Sequence, residues 1–96
     1  MPTIVWTKAA VADIERHHEF LELTNPDAAK KAVQAILKKG ESLNQNPRRG
    51  SVVIQSEGLR KLIVPFGKHG FVMHYTIFDE DILILRVYHG REHRKN

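Results

Sequence analysis

An aliphatic run near the end of this 96-residue chain limits its fold more than any other stretch. Residues 82–85 and Val87 are all aliphatic, and Arg86 alone interrupts them. A short run rich in Ile and Val, bounded by an acidic turn at 79–81 and by Gly90, is typical of a central β-strand. Because both alternating sets of side chains are apolar, we expect both faces of this strand to be at least partly covered. The chain's own helices can cover one face, and the other is predicted to need a partner or a substrate.

Composition restricts the class of protein. The chain has no cysteine, which excludes a disulfide framework and a zinc–thiolate site. No apolar run approaches the roughly 20 residues that a membrane span requires. The start, Met1-Pro2-Thr3, lacks the charged and apolar regions of a signal peptide. We therefore expect a single cytoplasmic domain covering residues 1–96.

The charge is unevenly distributed along the chain. The net charge is +4, and residues 28–78 hold nine Lys/Arg against two Asp/Glu. Such a basic segment favours polyanions or an acidic partner protein. A solvated helix face with basic loops would give the same count, and for a charge run alone it is the more common explanation.

Two helices are predicted in the first half of the chain. Thr7 is a plausible N-cap for an amphipathic helix over residues 8–23, whose apolar positions recur at three- and four-residue steps. Asn25 can cap a second helix, with Pro26 at its first position. Small residues on the apolar face of this helix, such as Gly40, would let a neighbouring helix approach closely. The short connector predicts an antiparallel helical hairpin.

The remaining segments indicate strands. Strands are predicted at 3–6, 59–64, 71–78 and along the aliphatic run, with a brief extended piece at 52–54. The last six residues are polar and are interpreted as a frayed tail. The resulting order is β-α-α-β-β-β, an α+β fold in which an antiparallel twisted sheet carries the N-terminal helical hairpin on one face.

Alternation along 71–78 predicts which side chains leave the core. The core-facing set is Phe71, Met73, Tyr75 and Ile77. His74 then faces outward, where Arg60 and Arg86 are expected to project as well. Arginine can bind phosphates or carboxylates with two hydrogen bonds, and histidine can act as an acid or a base near neutral pH. The alternative is that both arginines pair with local acids such as Glu57.

The other histidines give weaker signals. His17 and His18 point in different directions on the first helix, so at most one lies on the core face, as a part-buried, hydrogen-bonded side chain. His89 and His93 would have a spacing that suits a metal in a helix, but Gly90 lies between them and no third ligand has a fixed spacing. We therefore predict no metal site.

An ordered set of segments resembles a known family. The segments are Asp13-Ile14, Asn25-Pro26-Asp27-Ala28-Ala29, Asn46-Pro47-Arg48-Arg49-Gly50, Gly58-Leu59-Arg60-Lys61-Leu62, Tyr75 and the stretch from Ile84 to Arg91. Together they resemble the RelE/ParE superfamily of bacterial type II toxins, whose fold is a helical hairpin on a twisted antiparallel sheet. The resemblance implies a growth-arresting toxin without a cofactor, neutralised by a cognate antitoxin that wraps around it. It also allows a toxin dimer within the antitoxin complex.

The resemblance leaves two activities open. RelE-like members cut mRNA on the ribosome, and such an activity would use His74, His89 and Arg91 as catalytic residues. ParE-like members poison DNA gyrase without catalytic residues of their own. The sequence favours the ParE-like branch, because residues 62–65 lack the basic side chains of RelE-type enzymes and Val72 stands where those enzymes have an arginine. A chain that binds its antitoxin but has lost toxicity is the third alternative.

The resemblance also implies a binding surface. The residues expected to contact the target or the antitoxin are Arg60, Lys61, Arg86, Tyr88, His89 and Arg91.

Overall fold

The structure, a computed structural model, describes residues 2–53 and 57–93, with His93 as backbone only. The elements in chain order are β1 (Ile4–Trp6), α1 (Lys8–Glu22), α2 (Pro26–Glu41), a 3₁₀ turn (Ser42–Asn44), β2 (Ser51–Val52), β3 (Arg60–Val64), β4 (Phe71–Phe78), β5 (Asp81–His89) and α3 (Gly90–His93). The predicted order of the main helices and strands is confirmed. Ile54, part of the predicted extended piece, and the tail after His93 lie outside the described residues.

One sheet of five strands has the order β1-β5-β4-β3-β2. The aliphatic run forms β5, which lies between β1 and β4 as a central strand. β3, β4 and β5 are antiparallel neighbours, but β1 runs parallel to β5, so the sheet is mixed rather than wholly antiparallel. No turn joins β1 to β5, and without a turn the sequence pattern contains nothing that fixes their relative direction.

Helices α1 and α2 form the predicted hairpin. The hydroxyl of Thr7 accepts a hydrogen bond from the N–H of Ala10, and the side chain of Asn25 accepts one from Ala28. These caps satisfy N–H groups that have no partner inside the helix. At Gly40 the structure differs from the expectation. The atoms nearest to this residue belong to Trp6 of β1 and to a side chain of β5, and not to α1.

The helical hairpin covers one face of the sheet, which we call the inner face. Its sheet residues Phe71, Met73 and Tyr75 are buried in one core with Ile14 and Ile36 of the helices, as the alternation predicted. We call the opposite side the outer face. Both long helices of the described residues pack on the inner face, and Ile63 of β3 keeps 55% of its surface exposed on the outer one.

A β-bulge interrupts the pairing of β4 with β5. His74 pairs with Arg86 and Tyr75 with Ile84, so β5 carries one extra residue, Leu85. An extra residue reverses the alternation beyond it. The buried positions of β5 therefore change parity at the bulge, a change that the simple period of two did not predict.

The chain after β5 is more ordered than the predicted frayed tail. Residues Gly90–His93 form a short helix, α3. The carboxylate of Glu92 accepts a hydrogen bond from the backbone N–H of His89 at 2.9 Å and forms an ion pair with Arg16 of α1 at 2.8 Å. These two contacts connect α3 to the end of the sheet and to the first helix.

Neither long helix in the described part of the chain combines the length and apolarity that crossing a membrane requires.

Candidate functional site

Beyond the end of β1, side chains of α1 form hydrogen bonds with the backbone groups at the edge of β5. Asp13 accepts a hydrogen bond from the backbone N–H of Val87 at 2.9 Å, and Nε2 of His17 donates to the Val87 carbonyl at 2.8 Å. Asp13 and His17 are four residues apart, so both face the strand from one side of the helix. Of His17 and His18, His17 is thus the buried, hydrogen-bonded one, and the prediction that at most one of them lies on the core face is confirmed.

Asp13 also forms an ion pair with Arg86. The guanidinium donates two hydrogen bonds to the carboxylate, at 2.7 and 2.9 Å, and Arg16 lies 3.3 Å from the same group. Burial raises the pKa of Asp13, but hydrogen bonds from Arg86, from the N–H of Val87 and from Arg16 outweigh it and hold the pKa below its usual value. The same carboxylate raises the pKa of Arg86, which therefore remains charged. The partner of Arg86 is a carboxylate far away in sequence and not a local acid.

Arg60 is not on the outer face, which corrects the prediction. It pairs with Tyr75 across the sheet and so lies on the inner side. Its guanidinium donates to the Gly50 carbonyl at 2.8 Å and to the Arg48 carbonyl at 3.3 Å. The phenol of Tyr75 accepts from the N–H of Gly50 and donates to the Pro47 carbonyl. Arg60 thus stabilises the loop before β2 and does not point outward. Its partners are backbone carbonyls, where the alternative had proposed Glu57.

The structure separates His74 and His89, the two histidines that a RelE-like activity would use. His89 pairs with Phe71, whereas His74 pairs with Arg86. Phe71 and His74 are three residues apart on a regular part of β4, so their side chains leave opposite faces of the sheet. Consistent with this, the ring of His89 contacts Phe71 at 5.8 Å on the inner side.

Four of the predicted residues meet on the outer face. Lys61 pairs with His74, whose ring lies 5.1 Å from the ring of Tyr88. The guanidinium of Arg86 is 5.1 Å from the centre of the same Tyr88 ring, within cation–π distance. We call these residues, Lys61, His74, Arg86 and Tyr88, the outer patch.

A groove opens on the inner side, between the second half of α1 and the end of β5. It has a volume of about 660 Å³ and is lined by Arg16, His17, Phe20, Leu21, Phe71, His89, Arg91 and Glu92. His89 and Arg91 were predicted as site residues, but the apolar lining was not. The signal for it in the sequence was Phe20, a large apolar side chain away from the core-facing stripe of α1; it is 72% exposed.

His89 is electrostatically tuned within this groove. Burial lowers its pKa, and the neighbouring His17 and Arg91 lower it further, against the opposing effect of Glu92. Nδ1 of His89 accepts a hydrogen bond from the backbone N–H of Arg91 at 3.1 Å. His89 is therefore mainly neutral at pH 7, with its proton on Nε2.

In the described part of the chain, His, Asp and Glu side chains form no cluster that could hold a metal ion.

A family model for the ParE toxin of the type II toxin–antitoxin system parDE matches residues 4–94 of this sequence. The chain belongs to this family. It is therefore a toxin of a type II toxin–antitoxin system, with an antitoxin as its partner, and the resemblance to the RelE/ParE superfamily is confirmed.

Relatives and a solved structure agree with the assignment. Toxin RelE3 of Caulobacter vibrioides is 33% identical over 82 residues, covering 85% of this chain and 87% of that protein. Toxin RelE1 of the same bacterium is 27% identical over 92 residues, covering 96% and 97%. A chain in the structure of the chromosomal ParDE system from P. aeruginosa superposes with a TM-score of 0.77 at 26% identity, covering 93% of this chain and 96% of that one. The predicted α+β fold is thus confirmed by its similarity to a solved structure of a ParDE toxin.

Proposed function

We propose that this toxin arrests growth by poisoning DNA gyrase, that it cuts no RNA, and that its cognate antitoxin neutralises it. The observation that supports this best is the placement of His74 and His89 on opposite faces of the sheet. Cleavage of RNA by attack of a 2′-hydroxyl needs an acid and a base within hydrogen-bond reach of one phosphate. Two imidazoles separated by the thickness of a sheet do not meet that requirement.

The positions of the cations support the same proposal. Arg86 and Arg16 are held by Asp13 and Glu92. A nuclease stabilises the charge that develops on the phosphate with cations aimed at it. Arg91 is in the groove, away from the outer patch, so it does not complete a set with His74.

The outer patch is the surface that we assign to the target. Lys61 brings positive charge to it, since the charge of Arg86 is paired with Asp13, and Tyr88 adds an amphipathic ring of the kind enriched in protein interfaces. Ile63, two residues after Lys61 and on the same face of β3, adds exposed apolar area. A basic, partly aromatic surface is suited to a complex of protein and DNA, because the DNA is a polyanion. Arg60, which supports a loop on the other side, has no part in this contact.

The experiment compares two assays on the same purified chain. We expect inhibition of gyrase supercoiling, with accumulation of cleaved DNA complexes, and intact mRNA on translating ribosomes. The His89→Ala variant, on the side of the sheet away from the outer patch, should inhibit gyrase as the unaltered chain does, since His89 acts as neither an acid nor a base.

The opposite result would assign ribosome-dependent mRNA cleavage, the activity suggested by the RelE names of the Caulobacter relatives. In that case mRNA would be cut, gyrase would be unaffected, and His74→Ala or Arg91→Ala would abolish cutting. Inactivity in both assays, with no effect on growth, would mean that the chain has lost toxicity.

A further inference from the structure

We infer that two copies of this chain associate weakly through the solvent-facing side of the helical hairpin, with α1 of each copy packed against α2 of the other. None of the residues that form the contact belongs to the outer patch or lines the groove. The contact needs neither antitoxin nor target, so its test does not depend on the proposed function.

The two helices of the hairpin present opposite charges to solvent. Glu15 and Glu19 are exposed and four residues apart, so they lie one turn apart on the same side of α1, and we call them the acidic stripe. Lys30 and Lys38 are exposed and eight residues apart on one side of α2, and we call them the basic stripe. The buried residues of both helices lie on the opposite sides, which face the core. Each stripe therefore faces solvent.

Neither stripe is neutralised within one copy. Among the described residues, no group of opposite charge lies within 4.0 Å of any of these four side chains. Two other charges of α2 are occupied, because Lys31 pairs with Asp27 at 3.3 Å and Glu41 accepts a hydrogen bond from Nε1 of Trp6 at 3.2 Å. Lys8 lies at the first position of α1, seven residues before the acidic stripe. Two uncompensated stripes of opposite sign on one surface match a partner that has the same pair of stripes.

A two-fold axis parallel to the helices makes this surface self-complementary. It places α1 of each copy over α2 of the other, and every contact then occurs twice. Glu19 lies three residues before the end of α1, and Lys30 lies four residues after the start of α2, so both are at nearly the same distance from the connector. Glu19 of one copy therefore meets Lys30 of the other, and the acidic stripe faces the basic stripe in both directions.

An apolar contact accompanies the charges. Val11 of α1 and Leu37 of α2 are each 41% exposed. Both lie eleven residues from the connector end of their helix, so they are at the same level of the hairpin. Exposed ion pairs contribute little by themselves, and burial of these two side chains adds a favourable hydrophobic contribution to the association.

The size of the surface limits the strength of the contact. α2 has 16 residues, and at about 1.5 Å per residue it is about 24 Å long. Two helices with axes about 10 Å apart cover a width of roughly 20 Å, which gives about 500 Å² per copy. A total of about 1,000 Å² is at the lower limit for a specific interface, so we expect a dissociation constant in the micromolar range.

Other occupants fit this surface less well. A nucleic acid on the basic stripe would lie next to the carboxylates of the acidic stripe, which repel its phosphates. A wholly acidic or wholly basic protein segment meets the same obstacle at one of the two stripes. The net charge of +4 opposes pairing of two copies, but charges separated by more than the Debye length, about 8 Å at physiological ionic strength, are largely screened.

Sedimentation equilibrium of the purified full chain tests the contact. The average mass should rise from that of one chain towards that of two over the micromolar to near-millimolar range. Glu19→Lys and Lys30→Glu should each raise the dimer Kd at least about tenfold, because each change places like charges at both contacts. Both side chains are exposed, and thermal unfolding verifies that each variant remains folded.

A mixture of the two variants gives the sharpest outcome. Glu19→Lys and Lys30→Glu chains should associate with each other about as strongly as two unaltered copies, since every contact between them joins opposite charges. The variant with both changes should pair with itself for the same reason. Loss of folding does not produce such a rescue.

Matched controls lie away from the hairpin surface. Glu57→Lys and Lys68→Glu change exposed residues in the loops on either side of β3 and alter the net charge by the same amounts. They should change the dimer Kd less than about twofold.

Three outcomes would overturn the inference: a chain that stays monomeric at the highest concentration, dimers that persist in both reversed variants, and a mixture that does not associate. Binding of duplex DNA by the unaltered chain that is lost in Lys30→Glu would also overturn it, because the basic stripe would then belong to nucleic acid.

Discussion

The carboxylate of Asp13 joins three parts of the chain and is only 3% exposed. It accepts from Arg86 after the bulge, from the N–H of Val87 on the strand edge, and from Arg16, which also binds α3 through Glu92. A buried carboxylate is stable only when its hydrogen-bonding capacity is filled. The position of Asp13, four residues before His17, was visible in the sequence, but its partners Arg86 and Val87 lie more than 70 residues away.

Replacing Asp13 tests this network. Asp13→Asn keeps the shape of the side chain but removes the charge that binds Arg86. We expect the free energy of unfolding to fall by about 2 kcal/mol at pH 7, less than for a fully buried pair because the Arg86 side chain is 43% exposed. The measurement is urea unfolding. Asp27→Asn, at a surface pair with Lys31, is the control and should cost about 0.5 kcal/mol or less.

The effect should depend on pH in a defined direction. The pKa of Asp13 is lower in the folded chain than in the unfolded one, so its contribution is present above the unfolded pKa, about 4. It is lost as pH falls through the folded pKa. The difference between the unaltered chain and Asp13→Asn should thus be largest at neutral pH and shrink in acid. A constant difference from pH 7 to pH 2 would contradict this account.

At the scale of elements, two side chains of the sheet stabilise the loop before β2. The phenol of Tyr75 bridges the Gly50 N–H and the Pro47 carbonyl, both at 2.8 Å. Arg60 reaches the carbonyl of Gly50 from the neighbouring strand. β2 itself pairs over two residues, so the loop depends on these polar contacts for its position.

Tyr75→Phe removes the bridge without changing the ring. We expect a loss of about 1–2 kcal/mol in unfolding free energy, because a buried donor and an acceptor lose their partner. Amide exchange at Gly50 should accelerate more than exchange at Met73, in the middle of the same sheet. Uniform acceleration at both amides would show that the hydroxyl supports the whole fold and not the loop alone.

The contact of α2 with β1 depends on the absence of a side chain at Gly40. A Cβ there would overlap the ring of Trp6, whose Nε1 donates to Glu41 at 3.2 Å. Gly40→Ala should therefore destabilise the fold by about 1–3 kcal/mol, although alanine favours a helix by roughly 1 kcal/mol. Thermal unfolding followed by Trp6 fluorescence measures the change in stability, with Lys38→Ala, at an exposed position of the same helix, as control. An increase in melting temperature would contradict the close approach.

At the scale of the whole molecule, the sheet separates two surfaces, of which we assign the outer patch to the target. The outer patch contains Lys61, and the groove on the inner side contains Phe20 and Arg91. The two surfaces can be tested separately by mutation, because a surface substitution on one face leaves contacts on the other unchanged.

A pair of variants tests the separation. Lys61→Glu should reduce gyrase inhibition about tenfold or more, because the outer patch loses positive charge. Phe20→Ala, on the opposite side of the sheet, should leave gyrase inhibition within about twofold. Growth after induction provides the readout in cells. An equal loss of inhibition in both variants would contradict the assignment of the outer patch to the target.

The sequence by itself determined the helical hairpin, the central strand and the core-facing alternation of β4. Those depend on local periodicity and caps, as at Thr7 and Asn25, which physical chemistry fixes within a few residues. It also named the charged and aromatic residues of the outer patch, apart from the side assigned to Arg60. Only the tertiary structure decided the parallel direction of β1, the bulge at Leu85, the capture of Arg86 by Asp13 and the separation of His74 from His89. Each depends on register or on contacts between residues distant in the chain, and a one-residue shift in register reverses the face that a side chain occupies.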